Sequence, residues 1–458
     1  MVARSLDVTG STGTVAPALT PGLWFWRLTG RVGANTGVVT SPVWEMTLTH
    51  RSTPRSTAWG ATIDHNGDGY ADALVGAPNA AAAYTYRGSA AGLSSTASGT
   101  LTGAASFGRS VSAAGDLDGD GFSDVVVGAP GARTAVVFYG SPTGLGGRTA
   151  TTLLGPSSTY GASVSAAGDL DGDGYGELVV AAPGAGRVYV HRGSPSGVET
   201  TAAWVIVGPG TGFGASVASA GDVNADGFAD IIVGDPDRAR ASVYHGAAAG
   251  LGATPVAART LTGATTFGEV VAGAGDVNGD GYTDVIVGTP EDKSATVCLG
   301  SATGLPTSGV TLRVAMMAFG GAVSSAGDVD GDGYDDVVIG SEGTRRAWIF
   351  RGGTAGIATM ASATFNSPSS GSTNKFGASV SSSGDYDGDD VSDVIIGAPG
   401  AASAYAYLGV LGAVPSTTPA VVLTGPAGSS YGQAVALLLI DARRLWSAPE
   451  PRQRAKKA

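Results

Sequence analysis

The chain reads as an all-β protein, a β-propeller built from seven four-stranded repeats, and three observations carry that reading. An Asp- and Gly-rich nonapeptide returns seven times, 52 to 57 residues apart, in a chain of 458 residues. A β-branched run follows each nonapeptide, as in Asp284-Val285-Ile286-Val287. Gly-rich turns then cut the rest of each period into short strands, and no helical period runs through residues 51–430. A unit of four short strands cannot bury both faces alone, so its copies must stack around an axis.

The fourth period shows the parts in order. Phe213-Gly214 opens a short alternating strand, and the nonapeptide begins at Asp222. An apolar second strand ends in Gly234-Asp235-Pro236, and a third ends in the turn Tyr244-His245-Gly246. Thr260-Leu261-Thr262-Gly263 closes the unit as a fourth strand.

The nonapeptide is a hard-cation loop. Six copies fit D-x-[DN]-x-D-G-[YF]-x-[DE]. Calcium takes about six to eight oxygens at roughly 2.3–2.6 Å in a flexible shell. Positions 1, 3, 5 and 9 offer side-chain oxygens, with position 9 able to bind through both of its own, and position 7 offers its backbone carbonyl. The ligand sets are Asp64, Asn66, Asp68, Tyr70 and Asp72 in loop 1, and Asp116, Asp118, Asp120, Phe122 and Asp124 in loop 2. Loop 3 has Asp169, Asp171, Asp173, Tyr175 and Glu177, and loop 4 has Asp222, Asn224, Asp226, Phe228 and Asp230. Loop 5 has Asp276, Asn278, Asp280, Tyr282 and Asp284, and loop 6 has Asp328, Asp330, Asp332, Tyr334 and Asp336. Loop 7, with Asp385, Asp387, Asp389, Val391 and Asp393, keeps the acids but replaces the position-6 glycine by Asp390 and the aromatic by Val391. Glycine at position 6 permits a positive φ, and the aromatic ring at position 7 is expected to drop into the core. An EF-hand would need Glu at position 12 and a following helix; here position 12 is Val or Ile and a strand follows. Loop 7 is expected to bind weakest because its turn is tight, followed by loop 4 with Ala225 at position 4.

These residues resemble the FG-GAP repeat family, known from the N-terminal propeller of integrin α subunits. The FG element recurs as Phe107-Gly108, Tyr160-Gly161, Phe213-Gly214, Phe267-Gly268, Phe319-Gly320 and Phe376-Gly377. The GAP element is Gly76-Ala77-Pro78, Gly128-Ala129-Pro130 and Gly397-Ala398-Pro399, with variants elsewhere and no Pro in repeat six. The resemblance implies seven blades, with up to seven calcium ions held on one rim between the first and second strands of each blade. Integrin propellers differ in carrying disulfides and fewer such loops.

Composition agrees. The ligand positions carry 25 of the 38 acids, so seven divalent ions would move the formal charge from −12 to +2. The acidity therefore belongs to the metal loops, and it argues against nucleic-acid binding. Cys298 is the single cysteine, which excludes an internal disulfide and reads as an inert core thiol. Cysteine scarcity favours the cytosol. Calcium loops favour the outside, where modules bind at about 10⁻⁴–10⁻³ M, and this consideration weighs more. No signal-peptide pattern is visible at the start, and no apolar run reaches membrane-spanning length. The expected location is extracellular or at the cell surface, as a monomer.

The ends depart from the repeat. Residues 1–50 hold two strand-like stretches, Leu23–Leu28 and Val43–Leu48, that resemble the last strands of a fibronectin type III-like sandwich, or else form a linker. The propeller is expected over 51–440 and a disordered basic tail over 441–458. Tyr431-Gly432 starts an eighth FG strand without an acidic loop. Its register predicts that it occupies or adjoins the inner slot of blade one, pairing near Ala73 to Gly76; the competing occupant is Ser56 to Ile63.

The functional expectation is a calcium-binding recognition or adhesion module without catalytic activity. Its ligand, a protein or glycan, is placed on the rim opposite the calcium loops. That rim carries Asp235, Asp237, Arg238 and Arg240, then Glu291, Asp292 and Lys293, then Glu342, Arg345 and Arg346, with the long loop Ser367 to Lys375 overhanging blade seven. A passive spacer in a larger surface protein is the alternative, as is a non-catalytic propeller attached to a hydrolase or lyase. No nucleophile motif or zinc spacing supports an enzyme. Of the four histidines, His65 lies in a loop, His191 and His245 are expected at equivalent third-strand positions, and His50 precedes the array.

Overall fold

The computed structural model describes residues 64–437, and before them the backbone of four short strands. Seven four-stranded antiparallel sheets follow one another as blades. In blade 2 the strands run Ser110–Gly115, Asp124–Ala129, Thr134–Phe138 and Thr151–Leu154, from the inside outward. The first strands of successive blades pack on one another around the axis.

Strand sequence follows position in the blade. The second strands of blades 2 to 7 are buried at every residue, because both of their faces meet neighbouring blades, and their sequences are continuous β-branched runs. The fourth strands alternate between buried and exposed residues, as at Val421–Thr424, which suits an outer edge with one wet face. Hydrophobic clusters span adjacent blades; Phe319 of blade 6 packs with Trp348 and Phe350 over residues of blade 5.

The two glycine motifs interlock the blades. Gly161, at φ +86°, donates its N–H to the Ala181 carbonyl of its own blade at 3.0 Å. Its own carbonyl lies against Gly128 of the preceding blade, where an added Cβ would stand 2.1 Å from that oxygen. A Cβ on Gly161 would stand 2.3 Å from the Thr134 carbonyl oxygen of that preceding blade. Each motif therefore needs the other across the seam, and the same fit recurs at Gly268 against Gly234 and Gly320 against Gly288.

The ring closes through the C-terminal strand. Ala434–Ala436 pairs with the second strand of blade 1, in the register Ala434↔Gly76, Val435↔Val75 and Ala436↔Leu74. Gly432 serves as the FG glycine of blade 1: its N–H donates to the Gly76 carbonyl at 3.0 Å. Its carbonyl abuts Gly397, where a Cβ would stand 2.1 Å away. The competing segment, Ser56 to Ile63, lies outside the described residues, as do residues 438–440 and the basic tail.

Before the propeller, Gly22–Trp26 pairs antiparallel with Trp44–Leu48. Between these strands lies a second hairpin, Thr29–Val32 with Asn35–Thr40.

Candidate metal centres

Each loop is organised by the acid that ends it. Asp72, Asp124, Glu177, Asp230, Asp284, Asp336 and Asp393 all have 0% exposure. They sit at the mouth of the second strand, pointing back under the loop. Asp230 accepts the Val223 N–H on one oxygen and the Gly246 N–H on the other, both at 3.0 Å. Val223 is loop position 2, and Gly246 is the turn glycine at the end of the third strand. Asp72, Asp124, Asp284, Asp336 and Asp393 repeat this double contact. The terminal acid therefore ties the loop to the next turn, and backbone donors already occupy both oxygens that were expected to face the ion. One lone pair on each oxygen remains for a cation. Glu177, longer by a methylene, accepts Leu170 N–H at 2.7 Å on Oε2, while Oε1 has no hydrogen-bond partner among the described residues.

The other acids fold the loop on itself. Asp222 accepts Asp226 N–H and Gly227 N–H, Asn224 accepts Asp226 N–H, and Asp226 accepts Phe228 N–H at 3.1 Å. The contact from position 7 to position 5 recurs in all seven loops. Loop 7 keeps the same path: Asp390, at φ +67°, donates to Asp385 Oδ2 at 2.6 Å, as the glycines do elsewhere. Asp390 thus takes the left-handed conformation that glycine takes at position 6 of the other loops.

Three carboxylates converge in four of the loops. Ligand oxygens of Asp116, Asp118 and Asp124 lie within 4.8 Å of one another, as do those of Asp169, Asp171 and Glu177, of Asp328, Asp330 and Asp332, and of Asp385, Asp387 and Asp393. Burial, followed by the charge of neighbouring acids, pushes the Asp116 carboxyl up to about 7. Burial pushes Glu177 up to about 9 and Asp230 and Asp284 to about 8, with loop backbone donors opposing the shift. Burial, which disfavours the charged form, is the leading cause of each of these shifts. The donor set, all hard oxygen with an orphaned buried Glu177 oxygen and a second at Asp118 Oδ1, fits a hard divalent cation.

Several features depart from the sequence reading. The position-7 rings stay half-exposed and lie over the preceding loop instead of entering the core. A Cβ on Gly67 would meet the Phe122 ring at 2.7 Å, and one on Gly119 the Tyr175 ring at 2.7 Å. His191 and His245 are not equivalent. His191 pairs with Leu178 in the position that Tyr244 occupies opposite Ile231 in the next blade, so His245 is one residue later. The single-residue offset turns His191 inward, to Tyr160 Oη at 2.9 Å, and His245 toward the loop, to Asn224 Nδ2 at 3.2 Å. His65 is buried in loop 1 with Nδ1 2.5 Å from Asp72 Oδ2.

Two sets of partners escaped the sequence reading. Backbone donors of each blade reach the loop of the preceding one: Ala229 N–H to the Asp169 carbonyl, Ala247 N–H to the Leu170 carbonyl, and Ala71 N–H to the Asp385 carbonyl at the closing seam. The loops are therefore links between blades. Arginines also touch the position-3 acids of loops 2, 3 and 6, namely Arg148–Asp118 at 2.5 Å, Arg192–Asp171 at 2.6 Å and Arg351–Asp330 at 2.7 Å. Arg192 and Arg351 directly precede the turn glycine, but so does Arg87, which donates instead to the Thr143 carbonyl, so the position alone gave no signal.

On the opposite rim the charged turns are tied to the loops between blades. Asp292 pairs with Arg313 at 2.7 Å, Glu342 with Lys375 at 3.4 Å, and Arg345 donates to the Gly371 carbonyl. Residues 367–375 pack on blade 7, where Gly400 N–H donates to the Asn374 carbonyl at 3.0 Å.

The chain matches the FG-GAP-like repeat in four overlapping copies, residues 64–127, 116–180, 169–233 and 222–287, and the FG-GAP repeat at 319–353. It is 33% identical over 213 residues to integrin alpha-5 of Xenopus laevis, covering 40% of this chain and 20% of that one. It is 33% identical over 153 residues to integrin alpha-7 of Mus musculus, covering 30% of this chain and 13% of that one. The chain thus spans a fifth or less of the length of these curated relatives. A protein of Lactobacillus plantarum of known structure shares the fold at TM-score 0.54 and 12% identity, over 80% of this chain and 99% of that one. The repeat matches, the interlocking glycine pairs and the seven four-stranded blades converge on one conclusion: the chain belongs to the FG-GAP repeat family and forms an integrin alpha-like β-propeller.

Proposed function

We propose that this propeller is a calcium-stabilised recognition module at the cell surface or outside the cell, with no chemistry of its own. The observation that carries the reading is the buried, orphaned Glu177 Oε1 inside a carboxylate cluster that also holds Asp169 and Asp171. A bound divalent ion would supply the positive charge that this cluster and its equivalents lack. Position 1, 3, 5 and 9 oxygens would hold it, with the position-7 carbonyl. Calcium suits these loops better than magnesium, because the donors are many and set by backbone turns with no octahedral template. The loops also accept hydrogen bonds from the next blade, so ordering them stiffens the seams. The acids are accounted for by loop folding, which supports binding over catalysis. The integrin relatives support an adhesion-type role, with a protein or glycan bound at the rim opposite the loops.

Thermal unfolding in calcium, magnesium and chelator tests the cation reading. Each site bound only in the native state adds about 2.7 kcal/mol at a calcium concentration 100-fold above its Kd. An unchanged midpoint on adding calcium overturns it. Glycan and protein arrays probed with the calcium-loaded chain test recognition.

A further inference from the structure

We propose that Arg148, Arg192 and Arg351 are built-in counter-cations that set the divalent-cation affinity of loops 2, 3 and 6. The inference rests on the cation reading above and adds what fixes the strength of each site.

The pattern is selective. Loops 1, 4 and 5 carry a neutral Asn at position 3, as Asn66, Asn224 and Asn278, whereas loops 2, 3 and 6 carry Asp118, Asp171 and Asp330. Each of these three aspartates is paired directly with an arginine. Counting the four ligand acids and the paired arginine, loops 2, 3 and 6 each carry three net negative charges, the formal charge of the three ligand acids in loops 1, 4 and 5. The compensation comes from different places in the blade. Arg192 and Arg351 precede the turn glycine, whereas Arg148 arrives from the connection between the third and fourth strands. The same charge state reached by two routes marks charge as the shared property.

The guanidiniums are held in place. Arg148 stacks over the Tyr139 ring at 4.5 Å and donates to the Ser196 carbonyl of the next blade. Arg192 stacks over the Trp204 ring at 4.6 Å. The paired aspartates are almost fully buried, while the arginines stay about a third exposed. Asp118 Oδ1 and Glu177 Oε1 remain without hydrogen-bond partners beside these pairs, in the clusters where an ion would sit. An arriving ion therefore meets a cation already fixed at the edge of its site. A divalent ion and a guanidinium about 6 Å apart repel, even at the dielectric constant of water, by the equivalent of about tenfold in affinity. The arginines thus bring the four-acid loops to the strength of the three-acid loops, and the six sites fill over one concentration range.

The test is calorimetric calcium titration of the full chain and of the triple variant R148M/R192M/R351M. The variant is expected to bind at three sites about tenfold more tightly than the wild type, splitting the isotherm into two phases. Adding D118N/D171N/D330N to the same background turns these loops into copies of the Asn loops and is expected to return these three sites to the wild-type range, with loop 7, which carries Asp387 at position 3, titrating alike in all three proteins. If the triple variant does not fold, R351M alone, with one site tightened, is read in the same way. Unchanged or weaker affinity in a folded Met variant overturns the inference, because an arginine that only braces the loop would weaken binding when removed. A wild-type chain that takes up no calcium in equilibrium dialysis instead overturns the cation reading on which the inference rests.

Discussion

Replacing the terminal acid of one loop separates its two roles. In Asp230→Ala, the N–H groups of Val223 and Gly246, each bonded at 3.0 Å to a side chain with 0% exposure, both lose their acceptor. An unsatisfied buried donor costs about 1–3 kcal/mol, so the pair should cost about 2–5 kcal/mol, toward the lower end if water enters. This loss belongs to the loop's own architecture and should persist in chelator. Asp226→Ala is the contrast: it removes an exposed carboxylate that accepts the Phe228 N–H at the rim. In chelator it should change stability by less than about 1 kcal/mol, and its cost should emerge only with calcium present. Chemical denaturation of both variants, with and without chelator, gives the four numbers. An Asp230→Ala protein as stable as the wild type in chelator would refute the structural role of the terminal acid and leave it a metal ligand alone.

Acidity should act in opposite directions with and without cation. Carboxyls pushed up to about 7 at Asp116, 8 at Asp230 and 9 at Glu177 hold protons in the native state that the unfolded chain releases. In chelator, stability should therefore fall as pH rises from 6 toward 9, whereas in saturating calcium the slope should reverse because the ion needs ionised ligands; a chelator profile that rises with pH refutes this. Gly161→Ala, which places a Cβ 2.3 Å from the Thr134 carbonyl oxygen at φ +86°, should cost about 3 kcal/mol in thermal or chemical unfolding, while Gly371→Ala, with nothing within 4 Å, should be neutral. Cys298 is buried at 1% exposure with its thiol pushed up to about 12 by desolvation, so a thiol reagent should label it only after denaturation.

Much of the site was legible because its chemistry is local. Nine consecutive residues fix which acids can reach one ion, and their period fixes the number of copies. The eighth FG strand, which starts at Tyr431-Gly432 and has no acidic loop of its own, predicted pairing near Ala73 to Gly76, and Val435 pairs there with Val75. The unread parts join segments that are apart in the sequence, either within one blade or across a seam. The Tyr175 ring packs on Gly119, the Gly246 N–H reaches Asp230, and Arg148 reaches Asp118 from 30 residues away. The offset between His191 and His245 was lost for a related reason: a one-residue shift in strand register reverses the face a side chain takes, and only pairing with the adjacent strand reveals it.

The sequence by itself determined the repeat, the strand order within a blade, the ligand positions and the need for each motif glycine to turn or to pack closely. These follow from steric and electrostatic limits that act within a few residues. The tertiary structure alone decided how the blades engage: which carbonyl fills the space beside each GAP glycine, which backbone donors saturate the terminal acids, and which arginines stand beside which loops. The first outcome depends on segments that meet only between blades, and the other two on strands and turns that meet only when the blade has folded.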